Sequence, residues 1–230
     1  MRKARPTTAP RRRQPGRPPG SSREATRARV LSAARLSFAR AGYASTTNKQ
    51  IADAAGLTAA AIYQYFDSKA ALYLATMRDA NEALIAEYRR ALAGVRGVRQ
   101  GLRTVLLASA ELHRRDPSLS AFLSAVPVEM QRHEELGSAM REAPSEIVRI
   151  IDEIVAAGVR DGEVPEALHE RLVATFVACA LGISLYGAAI DGAALPAVAE
   201  TLGALIDGTL LPARARRSKA AGSRAPRQRR

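Results

Sequence analysis

The 230-residue chain has one cysteine, Cys179, no tryptophan and only 4% aromatic residues. A single thiol excludes an internal disulfide and fits a reducing compartment, so a cytoplasmic protein is expected. Sparse aromatics leave no stacking box for a planar polyaromatic ligand. Strict alternation of Val, Ile and Thr is missing, and no Asn-Gly or Asp-Gly turn separates two alternating runs, which argues against strands. The sequence also lacks a Gly-rich phosphate loop and a Gly-x-Ser-x-Gly elbow. Its histidines, His113, His133 and His169, have no paired ligand spacing; Glu129 and His133 stand four apart, without the second His of a zinc helix. No enzyme, metal site or cofactor is therefore expected. No apolar signal segment follows Met1, and the one long apolar stretch, 172 to 190, is diluted by Thr175, Gly182, Ser184 and Gly187. It reads as a buried helix rather than a membrane span.

Acidic residues are missing selectively. Residues 1 to 22 hold seven basic side chains and residues 213 to 230 hold eight, with no acid in either segment. The net charge of +13 is thus concentrated in two ends rich in Arg, Pro, Ala, Ser and Gly, which cannot bury enough surface to offset the entropy of ordering. Both are expected to be disordered basic arms. Between them, residues 23 to 78 carry eight basic and three acidic side chains, and residues 79 to 212 carry twelve and nineteen. A basic module, residues 23 to 68, is expected to precede a larger acidic helical domain, residues 69 to 212.

What the body does contain is helical periodicity and punctuation. Val30, Leu31, Ala34, Phe38 and Ala41 share a face over 28 to 41, and Gly42 supplies a left-handed stop. Thr47 and Gln50 form a capping box for a second helix that carries Ile51, Ala52 and Ala55 inward. Gly56 ends it. Thr58 can cap a third short helix through Ile62 and Tyr63, and Asp67 and Ser68 a fourth from Lys69, with Leu72, Ala75, Leu84, Ile85, Tyr88 and Leu92 on its buried side. Further helices are expected at 98 to 115, 118 to 137, 145 to 160, 166 to 190 and 196 to 210, separated by Pro and Asp-Gly breaks.

Two short helices joined through Gly56 and Leu57 have the spacing of a helix-turn-helix, or equally of a plain helical corner. The run Thr46-Thr47-x-x-x-Ile51-Ala52-x-x-Ala55-Gly56-Leu57-Thr58-x-x-x-Ile62-Tyr63-x-Tyr65-Phe66-x-Ser68-Lys69-x-x-Leu72-Tyr73 goes further. It resembles the DNA-binding signature of the TetR family of bacterial repressors, and Ala33-Ala34-x-x-x-Phe38-Ala39-x-x-Gly42-Tyr43 is similar to that family's first helix. The resemblance covers roughly residues 25 to 75. It implies an all-α fold: a three-helix DNA-binding module followed by a helical ligand-binding and dimerisation domain.

On this resemblance, Thr47, Asn48 and Lys49 approach DNA at the start of the second helix, and Thr58 caps the recognition helix beside a phosphate. Tyr63 and Tyr65 offer phenols to the backbone, and Lys69 meets a phosphate. Tyr63 can equally be a packing residue, as can Phe66, and Lys69 an ordinary solvated lysine. Where the family often has a small-Gly-Thr or small-Gly-Ser run, this chain has Ala59, Ala60 and Ala61. Direct readout then falls on Lys49, Gln64 and Asn48, with thymine methyls packing on the alanines.

The resemblance also implies an effector cavity, for which Leu106, His113, Phe122, Met130, His133, Ile147 and Ile151 are candidates. A hydrophobic or amphipathic small molecule is the expected effector. Leu172, Phe176, Leu185, Leu202, Leu205 and Ile206 are candidates for a homodimer interface. In the arms, Arg11, Arg12, Arg13 and Arg17 are candidate phosphate or minor-groove contacts; a solvated tail is the alternative. The expected protein is a cytoplasmic, nucleoid-associated, ligand-responsive regulator, a repressor of a palindromic operator on double-stranded DNA. The competing expectation is an architectural DNA binder that uses the arms and has no effector.

Overall fold

The computed structural model describes residues 21–141 and 145–210, in which every regular element is a helix. The basic segments 1 to 20 and 211 to 230, with Arg11, Arg12, Arg13 and Arg17, lie outside the described residues.

Helix α1 (Ser21–Ser45) begins seven residues before the expected start and continues for one turn past Gly42, whose φ of 75° and ψ of 172° kink it. Val30, Leu31, Ala34 and Phe38 are buried as the periodicity requires; Ala41 is exposed, a correction the kink next to it explains. Helices α2 (Asn48–Ala54) and α3 (Ala59–Tyr63) follow at nearly a right place for their caps, then α4 (Lys69–Leu92), α5 (Val98–Arg115), α6 (Pro117–Arg132) and α7 (Glu134–Arg141). The expected single helix 118 to 137 is therefore two, broken at His133 in extended geometry. Helix α8 (Glu146–Arg160) leads through a 3-10 turn (Glu166–Leu168) into α9 (His169–Ala189) and α10 (Leu195–Ile206), which ends four residues sooner than expected.

Two apolar clusters hold these helices together. The first joins α1 to α4 with the inner faces of α5 and α6, around an aromatic nest in which Phe38 meets Tyr73 edge-on at 4.9 Å and Tyr73 meets Phe122 at 5.2 Å. The second joins α5, α8, α9 and α10 around Leu106, Ile151 and Phe176. The first cluster is continuous from the three-helix module into α6, so burial alone couples the two halves of the chain. Polar anchors fix the geometry. Glu163, from the loop after α8, accepts from the Val98 amide at 2.9 Å, capping α5 where Gly97 has no side chain to do so. Arg35 of α1 donates to Asp116 at 2.8 Å, and the other Asp116 oxygen caps α6 through the Ser118 amide at 3.1 Å.

Candidate nucleic-acid interface and interior cavity

The α2–α3 pair is organised by its own caps. Thr47 Oγ1 accepts from the Gln50 amide at 3.2 Å while the Thr47 amide donates back to Gln50 Oε1 at 2.8 Å, a reciprocal capping box. Thr58 Oγ1 accepts from the Ala61 amide at 3.2 Å. Between them Gly56, with φ 65°, takes the left-handed turn that redirects the chain, and the Leu57 amide closes it on Ala52 O at 2.9 Å. Ile51, Ala52, Ile62 and Phe66 face the core. What remains outside is a row comprising Thr47, Lys49, Thr58, Ala60, Tyr63 and Gln64, all exposed, with Tyr63 at 56%.

Several expected contacts are placed differently. Asn48 is only 9% exposed and its Oδ1 is buried with no hydrogen-bond partner among the described residues, so it belongs to the packed side of α2 rather than to the outer row. Ala59 and Ala61 are half-buried beside exposed Ala60, so a single alanine of the three presents its methyl fully. Tyr65 is half-buried against the core, with the Arg23 guanidinium 5.7 Å from its ring centre. Phe66 is buried with Arg27 at 5.7 Å, which resolves it as a packing residue.

Lys69 is neither free nor simply solvated. Its Nζ donates to Tyr43 O at 2.9 Å and to Ala44 O at 3.2 Å, and lies 4.4 Å from the Tyr43 ring centre. The ammonium therefore ties the end of α1 to the start of α4. On the other side of the same kink, the Tyr43 amide donates to Glu129 Oε1 at 3.1 Å, and His133 Nε2 lies 3.3 Å from Glu129 Oε2. The His133 ring meets the Tyr43 ring edge-on at 4.8 Å. Burial, and then the Glu135 carboxylate that its hydroxyl meets, push the Tyr43 phenol up to about 12. Glu129, a buried carboxylate on α6, was not a sequence candidate; no local pattern advertises a partner 86 residues away.

A second feature lies between α4, α5, α6, α8 and α9, a cavity of about 140 Å³ open to solvent at one side. Met77, Leu84 and Tyr88 line it from α4, Leu123, Val126 and Pro127 from α6, and Val177 and Leu181 from α9. Of the expected pocket residues, His113 and Ile147 are on its wall. The others are elsewhere: Leu106 and Ile151 are in the second core cluster, Phe122 is in the aromatic nest, and Met130 packs on the first cluster. His133 belongs to the Tyr43 and Glu129 contacts. Which residues of each helix meet the cavity depends on packing between helices, which the apolar period of a single helix does not specify. His113 is 1% exposed, and burial pushes its imidazole down to about 4 against the opposing pull of Asp116. Its Nε2 lies 3.0 Å from Ser184 Oγ of α9, while Nδ1 is buried with no hydrogen-bond partner among the described residues. Beside it, burial pushes the Tyr88 phenol up to about 12, against the opposing pull of Ser109.

The third feature is an apolar exterior. The stretch Glu166–Ala189 is long and apolar enough to cross a membrane, yet α9 packs along one side on α5, α6 and α8. Its other side leaves Leu185 and, just beyond the helix, Ile190 exposed, at 57% and 71%; Leu181, at the cavity rim, and Leu205 of α10 are exposed too. Phe176, an expected interface residue, is instead buried within the chain, and Leu172, Leu202 and Ile206 are half-buried against the second cluster.

Comparison with known proteins agrees with this geometry. The family described as bacterial regulatory proteins, tetR family, matches residues 30–76, which span α2, α3 and the adjoining parts of α1 and α4. The HTH-type transcriptional repressor KstR2 of Rhodococcus jostii is 27% identical over 162 residues, 68% of this chain and 76% of that protein. The HTH-type transcriptional activator FasR of Mycolicibacterium smegmatis is 34% identical over 94 residues, covering 41% of this chain and 43% of its own length. The fold is shared with the regulator FadR of Bacillus subtilis, solved in complex with stearoyl-CoA, at a TM-score of 0.61 and 17% identity over 79% of this chain and 98% of that one. With the motif and these relatives in agreement, residues 30–76 form a DNA-binding module of the tetR family of bacterial regulatory proteins, and the chain is a DNA-binding transcriptional regulator.

Proposed function

We propose that this chain is a homodimeric repressor that holds an inverted-repeat operator through two α2–α3 faces and releases it when a small molecule fills the cavity between α4, α5, α6, α8 and α9. The observation that carries the reading is the outward row on a helix pair whose capping groups are already satisfied. With the turn fixed internally, Lys49 and Gln64 are free to meet base edges: the ammonium can donate to guanine O6 or N7, and the amide can pair with adenine N6 and N7. Ala60 can pack on a thymine methyl, and the Tyr63 hydroxyl suits a phosphate. Lys69 acts mainly by holding the α1 end in place, with a remaining N–H for a phosphate.

The exposed apolar face of α9 and α10 supports pairing with a second copy through a helix bundle, which would place two reading faces in successive major grooves. The cavity supports an effector, as does the stearoyl-CoA complex of the Bacillus subtilis protein with the same fold. In this reading residues 23 to 68 read DNA and residues 69 to 212 sense and dimerise, all in the cytoplasm. Helix α6 connects the two tasks, because it gives Leu123, Val126 and Pro127 to the cavity and Glu129 to the Tyr43 amide. An effector shifts operator affinity only by its differential affinity for the two arrangements.

The test is selection of bound sequences from a randomised duplex library, followed by titration of the winner with wild type and with Lys49→Ala and Tyr63→Ala. An inverted repeat with half-site centres roughly 34 Å or a multiple apart is expected, weakened by both substitutions. Binding without sequence preference, or untouched by either change, would overturn the reading in favour of an architectural binder.

A further inference from the structure

We infer that Arg23 and Arg27, on the first turns of α1, form a two-guanidinium clamp for the phosphodiester backbone of one DNA strand beside the C-terminal end of α3. The inference rests on the reading of the α2–α3 pair as the DNA-contacting face. It adds two residues from another helix, both upstream of the matched residues 30–76.

Arg23 and Arg27 stand one helical turn apart, so both project from the same side of α1. Both are exposed. Each is seated on a ring: the Arg23 guanidinium carbon lies 5.7 Å from the centre of Tyr65, and that of Arg27 lies 5.7 Å from the centre of Phe66. The two rings are neighbours, with 6.4 Å between their centres, and they are anchored from below. Phe66 is buried and Tyr65 is half-buried against the first core cluster. In the chain these rings follow directly on Tyr63 and Gln64, the last two residues of the outward row. The pair of cations therefore stands where that row ends, at the opposite end of α3 from its cap Thr58.

The charges of this pair are not balanced within the chain. Like charges one turn apart on a helix repel each other. Among the described residues neither guanidinium is in an ion pair, although Glu24 adjoins Arg23 in sequence and Asp67 adjoins Phe66. Arg35, further along the same helix, shows the alternative: Asp116 holds it at 2.8 Å and Asp79 at 4.0 Å. A ring contact steadies a guanidinium without consuming its N–H donors, which stay available as a fork for two acceptor oxygens. A phosphodiester presents two such oxygens and the negative charge that relieves the repulsion. DNA seated on the outward row brings a strand's phosphates to this end of α3. Contacts of this kind fix register and affinity and carry no base identity, so base choice stays with α2 and α3.

The experiment compares full-length wild type with the double variant Arg23→Gln and Arg27→Gln, on a library-selected duplex and on a scrambled duplex of the same length, over a range of salt. The double variant should bind both duplexes more weakly by the same factor, roughly tenfold or more. Its log-log salt slope should be shallower by about 1.8, from about 0.9 for each phosphate. Arg23→Lys with Arg27→Lys keeps the charge and loses the fork, so it should restore the slope but only part of the affinity. A neutral methylphosphonate, substituted for one phosphate at a time, should weaken wild type at one or two neighbouring positions where the double glutamine variant is indifferent. Affinity and slope equal to wild type, a loss confined to the selected duplex, or methylphosphonate effects identical in the two proteins would each overturn the inference. Lys49→Ala and Tyr63→Ala are titrated alongside. If they leave binding intact while the arginine pair loses it evenly, the clamp stands and the α2–α3 reading falls; the converse keeps that reading and removes the clamp.

Discussion

Gly42 is the position where backbone geometry and the joint between reading and sensing helices coincide, and its replacement by alanine should be among the most damaging small changes in the chain. Its φ of 75° with ψ of 172° lies in a region that is essentially closed to side chains, at about 1–3 kcal/mol. An added Cβ would stand 2.9 Å from Glu129 Oε1. The carboxylate can swing away, but only by giving up the Tyr43 amide and leaving a buried charge less well satisfied, another ~1.5–3 kcal/mol. Together these give roughly 3–5 kcal/mol, or a fall of about 10 °C in melting temperature for a chain of this size. Gly162→Ala is the matched control, since Gly162 has φ 74° and nothing within 4 Å of its would-be Cβ, so about 1–2 kcal/mol is expected there. Thermal unfolding followed by circular dichroism compares the two, and the double variant with Glu129→Ala should lose much less than the sum of the singles. Equal melting of the two alanine variants, or strict additivity with Glu129→Ala, would refute the assigned role of the Glu129 contact.

Lys69→Met removes the donors to Tyr43 O and Ala44 O, so it should lower the melting temperature by several degrees as well as weaken operator binding; an unchanged melt would return Lys69 to a purely phosphate-facing role. Leu185→Glu with Leu205→Glu places charge on the exposed apolar face and should convert dimer to monomer in sedimentation at micromolar protein, with operator affinity lost in parallel. A dimer that persists would place the interface elsewhere. The His113 imidazole stands near 6.5 when unfolded and at about 4 in the folded chain, so the unfolded state binds the extra proton between those values. Stability should therefore be full above pH 6.5 and fall as the pH drops toward 4, by up to about 3 kcal/mol, and His113→Leu should flatten that part of the profile. A variant with the same slope as wild type would show that other groups carry it.

How far the sequence could be read depended on the distance over which each feature is determined. The caps at Thr47, Thr58 and Ser68 are decided within three or four residues, and each makes the amide contact its position implies. The span 98 to 115 came out whole because Gly97 and Asp116-Pro117 mark both ends locally. The break at His133 had no such mark: apolar spacing runs on through it, and the residues it answers to, Tyr43 and Glu129, include one ninety positions upstream. Asn48 is polar and sits at the start of a DNA-facing helix, yet the packing of α2 turns it inward. The cavity was harder still. Leu106 and His113 are on one face of α5 seven residues apart, yet the first lies in the second core cluster and the second on the cavity wall, a difference set by the neighbouring helices rather than by the local sequence.

The division between apolar and polar contacts suggests how one continuous core can still switch. Phe38, Tyr73 and Phe122 bind α1, α4 and α6 through non-directional burial, which tolerates small sliding at little cost. The contacts that set the position of the α1 end are of the other kind. Glu129 to the Tyr43 amide and Lys69 to the Tyr43 and Ala44 carbonyls are charge-assisted and depend steeply on distance and angle. In the proposed reading, a displacement of α6 of a fraction of an ångström at Leu123 and Val126 would leave the burial nearly constant while straining the Glu129 contact. The free-energy difference between two arrangements then resides in a few hydrogen bonds, of the order of the 1–3 kcal/mol that typical effector coupling requires. The kink at Gly42 is the natural place for that difference to be expressed, because the turn that follows it leads directly into Thr47 and the reading face.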